Sequence, residues 1–143
     1  MDIAAVRRGL AAAVSGIPRL QGFAYRPDSI NPPTFSVSEY ELGYHQTMGS
    51  GSVDRNSLRL VTFVCHVFSG RTSADGSEEL LERYLFDGGE FSIPAAIESD
   101  PTLGGACDTL IVDDAKGVGR LYQPGGDGAP AYYGAELSVR VWG

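Results

Sequence analysis

The chain is short of cysteine, of positive charge and of long apolar runs, and each shortage removes a class of protein. Two cysteines in 143 residues are too few for a disulfide-stapled scaffold. Both lie in or beside strand-like stretches, where a free thiol behaves as a small hydrophobe, so a reducing cytoplasm is the expected compartment. No apolar run approaches the ~20 residues of a membrane span. The opening segment carries Asp2, Arg7 and Arg8 without a long apolar core, so no secretory signal is expected. Eleven Lys and Arg stand against eighteen Asp and Glu, a net charge of −7. An acidic balance argues against non-specific nucleic-acid binding, which rests on neutralising phosphates. The imbalance is uneven. Residues 1–70 hold six arginines and five acids, whereas residues 71–143 hold five basic residues and thirteen acids.

Catalytic and metal-binding patterns are equally scarce. The candidate ligands are His45, His66, Cys65 and Cys107. Cys65 and His66 are neighbours on a strand and point to opposite faces, so they cannot easily share one ion. Neither cysteine sits at an evident helix N-terminus or beside a basic cluster, the settings that lower a thiol pKa. Gly117-Val118-Gly119 and Gly125-Gly126-Asp127-Gly128 are glycine-rich, but no Lys-Ser/Thr pair or helix follows, so they read as turns. Asp113-Asp114 reads as a solvated corner, and Glu78, Glu79 and Glu82 as the wet face of a helix. These residues offer no convincing active site, and no metal site or cofactor is expected.

What the sequence does contain is a well-patterned domain. The length fits a single domain over residues 1–143 and can bury roughly 68–70% of the unfolded surface. Ile3, Val6, Leu10, Ala13 and Val14 recur at helical spacing, with Arg7 and Arg8 outside, Asp2 as a cap, and Gly16 and Pro18 as stops. Phe23-Ala24-Tyr25 reads as a short strand. Pro27, Pro32 and Pro33 make an extended connector, because proline cannot donate to a ladder. Thr34 to Leu42 reads as a strand with Phe35 and Val37 inward. The segment from Leu58 to Phe68 is apolar on both sides, Leu58, Leu60, Val64 and Phe68 one way and Val61, Phe63, Cys65 and Val67 the other. That places it in the middle of a sheet. A helix follows, capped by Asp75 with Glu78 or by Ser73, presenting Leu80, Leu81, Tyr84 and Leu85, and ended by Gly88-Gly89. Ser92 caps a short helix with Pro94 in its first turn. Strands are expected over 107–113 and 118–122, separated by a turn. A final strand alternates Tyr133, Ala135, Leu137, Val139 and Val141 inward. The order predicts an α+β fold, a mainly antiparallel sheet with helices packed on one face. Residues 43–56 carry no apolar period and read as a long hairpin loop, in which Tyr44, His45, Met48 and Arg55 are candidate assembly contacts.

Over nearly its whole length the chain resembles the tail terminator proteins of long-tailed bacteriophages, the siphophage tail-completion group. The resemblance is carried by the N-terminal helix, Pro32-Pro33 leading into a strand, and the Leu58–Phe68 strand followed by Gly70-Arg71. It continues through the helix ending Leu80-Leu81-Glu82-Arg83-Tyr84-Leu85, then Ser92 to Glu98, Asp100-Pro101-Thr102-Leu103-Gly104-Gly105, and the strand Tyr133 to Val139. The Thr-Leu-Gly-Gly piece after a short helix is the most specific, and the order of the pieces is the argument.

The resemblance implies a non-enzymatic virion protein with a sheet covered by helices on one side. Such proteins form a homo-hexameric ring at the head-proximal end of a non-contractile tail, stop growth of the tube, and dock the head connector. The implied partners are the major tail tube protein and a head–tail connector or neck protein. No membrane and no specific nucleic acid is implied, although DNA passes through the ring lumen. The implied location is the virion neck, and the host bacterial cytoplasm during assembly. Another neck component, such as a head-completion protein, is the nearest alternative. A small-molecule-binding module or enzyme with a pocket between sheet and helices is the alternative of a different class.

Overall fold

The protein was studied as a computed structural model, which describes residues 1–43, 59–72, 75–86 and 88–143. The fold is α+β, with a mostly antiparallel sheet and helices on one of its faces. In chain order the elements are helix α1 (Ile3–Ala13), strands β1 (Gln21–Phe23), β2 (Thr34–Gly43) and β3 (Leu60–Arg71), helices α2 (Ser77–Leu85) and α3 (Ile93–Glu98), a 3-10 turn (Leu103–Gly105), and strands β4 (Thr109–Tyr122) and β5 (Tyr132–Trp142). Among the described residues the sheet order is β1-β2-β3-β5-β4. β1 runs parallel to β2, and the other neighbours are antiparallel.

β3 is the central strand, as its pattern requires. Val61, Phe63, Cys65 and Val67 are fully buried on one face. Directly across on β5 stand Val141, Val139, Leu137 and Ala135, and on β2 Val37 and Phe35 face Cys65 and Val67. Onto this apolar face α1 brings Val6 and Leu10, α2 brings Leu80, Leu81 and Tyr84, and α3 brings Ile93 and Ile97, all in one contiguous core. The helices start where short polar side chains satisfy free N–H groups. The Asp2 carboxylate accepts from Ala4 and Ala5, and the Ser92 hydroxyl accepts from Ala95. The Thr-Leu-Gly-Gly turn has a packing role. Gly104 donates its N–H to the Asp100 carboxylate at 2.9 Å, and Leu103 packs against Gly9 of α1, where a β-carbon would not fit.

Several expected details are different. β1 begins two residues earlier than Phe23-Ala24-Tyr25 and pairs with β2 in parallel. The cap of α2 is Gly76 in the left-handed conformation, with no side-chain hydrogen bond, so Asp75 and Glu78 form no capping box; Ser73 lies outside the described residues. The same helix stops at Leu85 because Phe86 turns extended, before Gly88 and Gly89 are reached. The two strands expected over 107–113 and 118–122 are one continuous β4. Gly117 and Gly119 take positive φ inside the strand, where the register to β5 shifts between Lys116 and Arg120. The glycines thus build a bulge instead of a turn. Arg7, expected outside, is buried: its guanidinium donates to the carbonyls of Ala24, Val37 and Ser38 at 3.0, 2.9 and 3.2 Å.

Candidate functional site

Tyr44, His45, Met48 and Arg55, the contact candidates from the sequence, lie outside the described residues. Of the candidate ligands, Cys65 points into the core and His66 to the opposite face of β3, as strand geometry dictates. Burial pushes the Cys65 thiol up to about 12, against a smaller opposing pull from the Arg7 guanidinium. Cys107 is also raised, first by burial and then by the carboxylates of Asp108 and Asp100. Neither thiol is a reactive one. Among the described residues no group of three or more His, Cys, Asp or Glu side chains could hold a metal ion.

A cleft of about 560 Å³ lies on the face of the sheet opposite the helices. Thr34, Ser36 and Ser38 from β2, with His66 and Phe68 from β3, line its floor. One wall is the connector Arg26–Ile30, the other the loop from Gln123 to Pro130. Tyr132 ties the two sides, its hydroxyl donating to the Ile30 carbonyl at 3.4 Å. The aromatic end is tightly built. Phe68 meets Tyr122 edge-on at 5.5 Å and Tyr132 at 5.8 Å, and His66 stacks on Phe68 at 5.9 Å. Gly134 lies beneath this group, where a β-carbon would meet Phe68, Tyr122 and the Val67 carbonyl within 3 Å.

A polar row crosses the floor from strand to strand. Ser38 Oγ lies 2.5 Å from His66 Nδ1, and His66 Nε2 lies 3.4 Å from a Glu136 carboxylate oxygen. With Nε2 protonated, the imidazole donates to Glu136 and accepts from the serine hydroxyl. Ser38 reaches His66 because β2 bulges there: Val37 faces Cys65 and Glu39 faces Val64, leaving Ser38 as the extra residue. From the other side Arg7 clamps the carbonyls of Val37 and Ser38, and its guanidinium lies over the Tyr25 ring at 4.6 Å. Burial, and after it the Glu136 carboxylate, raises the Tyr122 phenol above its ordinary value, so it is protonated at neutral pH. The row can fix side chains across a wet sheet face and offer polar groups to a ligand.

No model of a known protein family matches this chain, and no curated protein matches it.

The cleft is not anticipated from the sequence: the alternative of a binding module places a pocket between sheet and helices, whereas the cleft lies on the other face. The available signal was the run Thr34, Ser36, Ser38, three hydroxyls on alternate positions of a strand. Beside the isolated His66 on β3 it marks a polar stripe on one sheet face.

The sheet edges form a second surface. β4 is an edge strand with Ile111, Val118 and Leu121 exposed at 44%, 51% and 57%. At the opposite edge Tyr25 is 55% exposed just beyond β1. No helix among the described residues is long and apolar enough to cross a membrane.

Proposed function

We propose that the chain is a structural virion protein, a tail terminator that forms a hexameric ring at the head-proximal end of a long non-contractile phage tail. The observation that carries this reading is where the resembling segments lie. They are scattered along the sequence, yet α1, β3, α2, α3, the 3-10 turn and β5 join in one core. The Thr-Leu-Gly-Gly turn belongs to that core through Leu103 against α1. An α+β sheet with helices on one face is also the fold that the resemblance implies. The exposed apolar side chains of β4 suit a subunit that is completed by neighbours.

The mechanism is occupancy. A ring seated on the last layer of the tube covers the surface that the next layer needs, so polymerisation stops. The opposite face of the ring need not resemble tube protein, which frees it to dock the connector. Deleting the gene in a phage that encodes this chain is expected to give tails of uncontrolled length that do not join heads, seen by negative-stain electron microscopy. Tails of normal length with defects confined to leaking heads would instead identify a head-completion protein. The cleft and its Ser38–His66–Glu136 row favour a second reading, a small-molecule-binding module. Saturable binding in a calorimetric screen, lost in Ser38→Ala and His66→Ala, would support it.

A further inference from the structure

The floor of the cleft holds more hydrogen-bonding capacity than the fold uses. Thr34 and Ser36 are buried, only 1% and 4% exposed, and both line the cleft. Neither hydroxyl has a hydrogen-bond partner among the described residues. A buried hydroxyl without a partner is costly, so two of them side by side in a cleft mark where a polar ligand is held. Ser38, next in the row, donates to His66 and keeps lone pairs on its oxygen. On the far wall Gln123 gives one amide N–H to the Ala129 carbonyl at 3.1 Å and retains its amide oxygen.

The chemistry of these groups selects the ligand. A free hydroxyl both donates and accepts, as the hydroxyls of a sugar do, and carries no charge. A charged ligand would need an excess of one sign in the lining. His66 aside, the charged side chains that line the cleft among the described residues are Arg26 and Asp28, one of each sign, both exposed and on the same wall. Apolar surface completes the lining, with Phe68 and Tyr132 at one end and Pro27 and Pro124 on facing walls. It suits the C–H faces of a sugar ring. Thr34, Ser36 and Ser38 stand on alternate positions of β2 and span roughly 13 Å, more than one ring reaches. Resting on the reading of the cleft as a binding site, we infer that it takes a neutral oligosaccharide of two or more rings, its hydroxyls seated on the β2 row. A cleft of about 560 Å³ is large enough for a ligand of that size. A virion protein and a free-standing module would hold such a ligand alike, so this site does not depend on the terminator reading.

The test is titration of the full chain with maltose, cellobiose, lactose and chitobiose to millimolar concentration, followed by NMR of the labelled protein. At least one disaccharide is expected to bind saturably and more tightly than its monosaccharide, with shifts centred on β2. Raising the salt concentration is expected to leave this binding unchanged, because no charge is paired. Thr34→Val with Ser36→Ala removes the two hydroxyls that have no partner in the fold, and a circular dichroism melt checks that the double variant folds. It is expected to bind about tenfold more weakly. Absence of binding by all four disaccharides, or binding that the folded double variant retains in full, would overturn the inference. Nucleosides and free amino acids are titrated in parallel. Saturable binding of one of these, lost in His66→Ala, with no disaccharide bound, would keep the binding-module reading and overturn the sugar class. No binding by any of the three groups would overturn both.

Discussion

The two faces of β3 are made from one unbroken run of residues and live in different environments. On one face Phe63 and Cys65 are sealed under three helices; on the other Val64 and His66 are half-buried, His66 on the floor of the cleft. The difference shows how a period of two lets a single strand do two tasks. Its even and odd positions are chemically independent, so the core can be fixed by one set while the other carries histidine, serine partners and a cleft. It also shows that an apolar pattern on both sides signals a central strand without requiring both faces to be covered by helices.

The comparison can be tested by substitutions. Phe63→Ala removes a fully buried ring between Tyr40 and the helices, and is expected to lower stability by about 3–5 kcal/mol in urea titration. Arg7→Met comes next. It leaves the carbonyls of Ala24, Val37 and Ser38 without their charged donor, and is expected to cost about 1.5–3 kcal/mol. Because Arg7 holds the bulge that aims Ser38, the same variant should shift the His66 ring resonances in NMR. Unchanged His66 resonances would separate the two faces more fully than the structure does. Leu60→Ala lies on the open face and is half-buried, so the expected loss is about 1 kcal/mol. A loss as large as that of Phe63→Ala would mean that the open face is closed by something the described residues do not include.

The sequence was informative wherever structure is set by near neighbours. Alternation over β5 and β3 and the side-chain caps of α1 and α3 depend on residues within a turn or a pleat, and all are legible in the sequence. Gly117 and Gly119 carry the residue type of a turn, so the local sequence divides β4 in two. Only pairing with β5, settled by Glu136 and Gly134 from the far side of a loop, makes them a bulge. The burial of Arg7 is hidden for a similar reason. Its helical position beside Val6 is legible, but the three carbonyls that bury it come from residues 24, 37 and 38. The cleft joins the connector after β1 to the loop before β5, about a hundred residues apart, and no local pattern announces that meeting. Tyr44, His45, Met48 and Arg55 lie outside the described residues.

The order β3-β5-β4 has a consequence for how the protein is made. The strand that fills the gap beside the central one is translated after the outer strand it also holds. Roughly sixty residues separate the end of β3 from the start of β5, and at ~5–20 residues per second a ribosome needs about 3–12 s to cover them. Throughout that interval one edge of β3, rich in Val, Phe and Cys, has no permanent partner. A nascent chain is therefore an unfinished sheet whose most adhesive edge is its middle, exposed to pairing with other nascent chains. β4 can gain its permanent place only once β5 emerges, so the sheet is closed from its interior by the strand made after all the others.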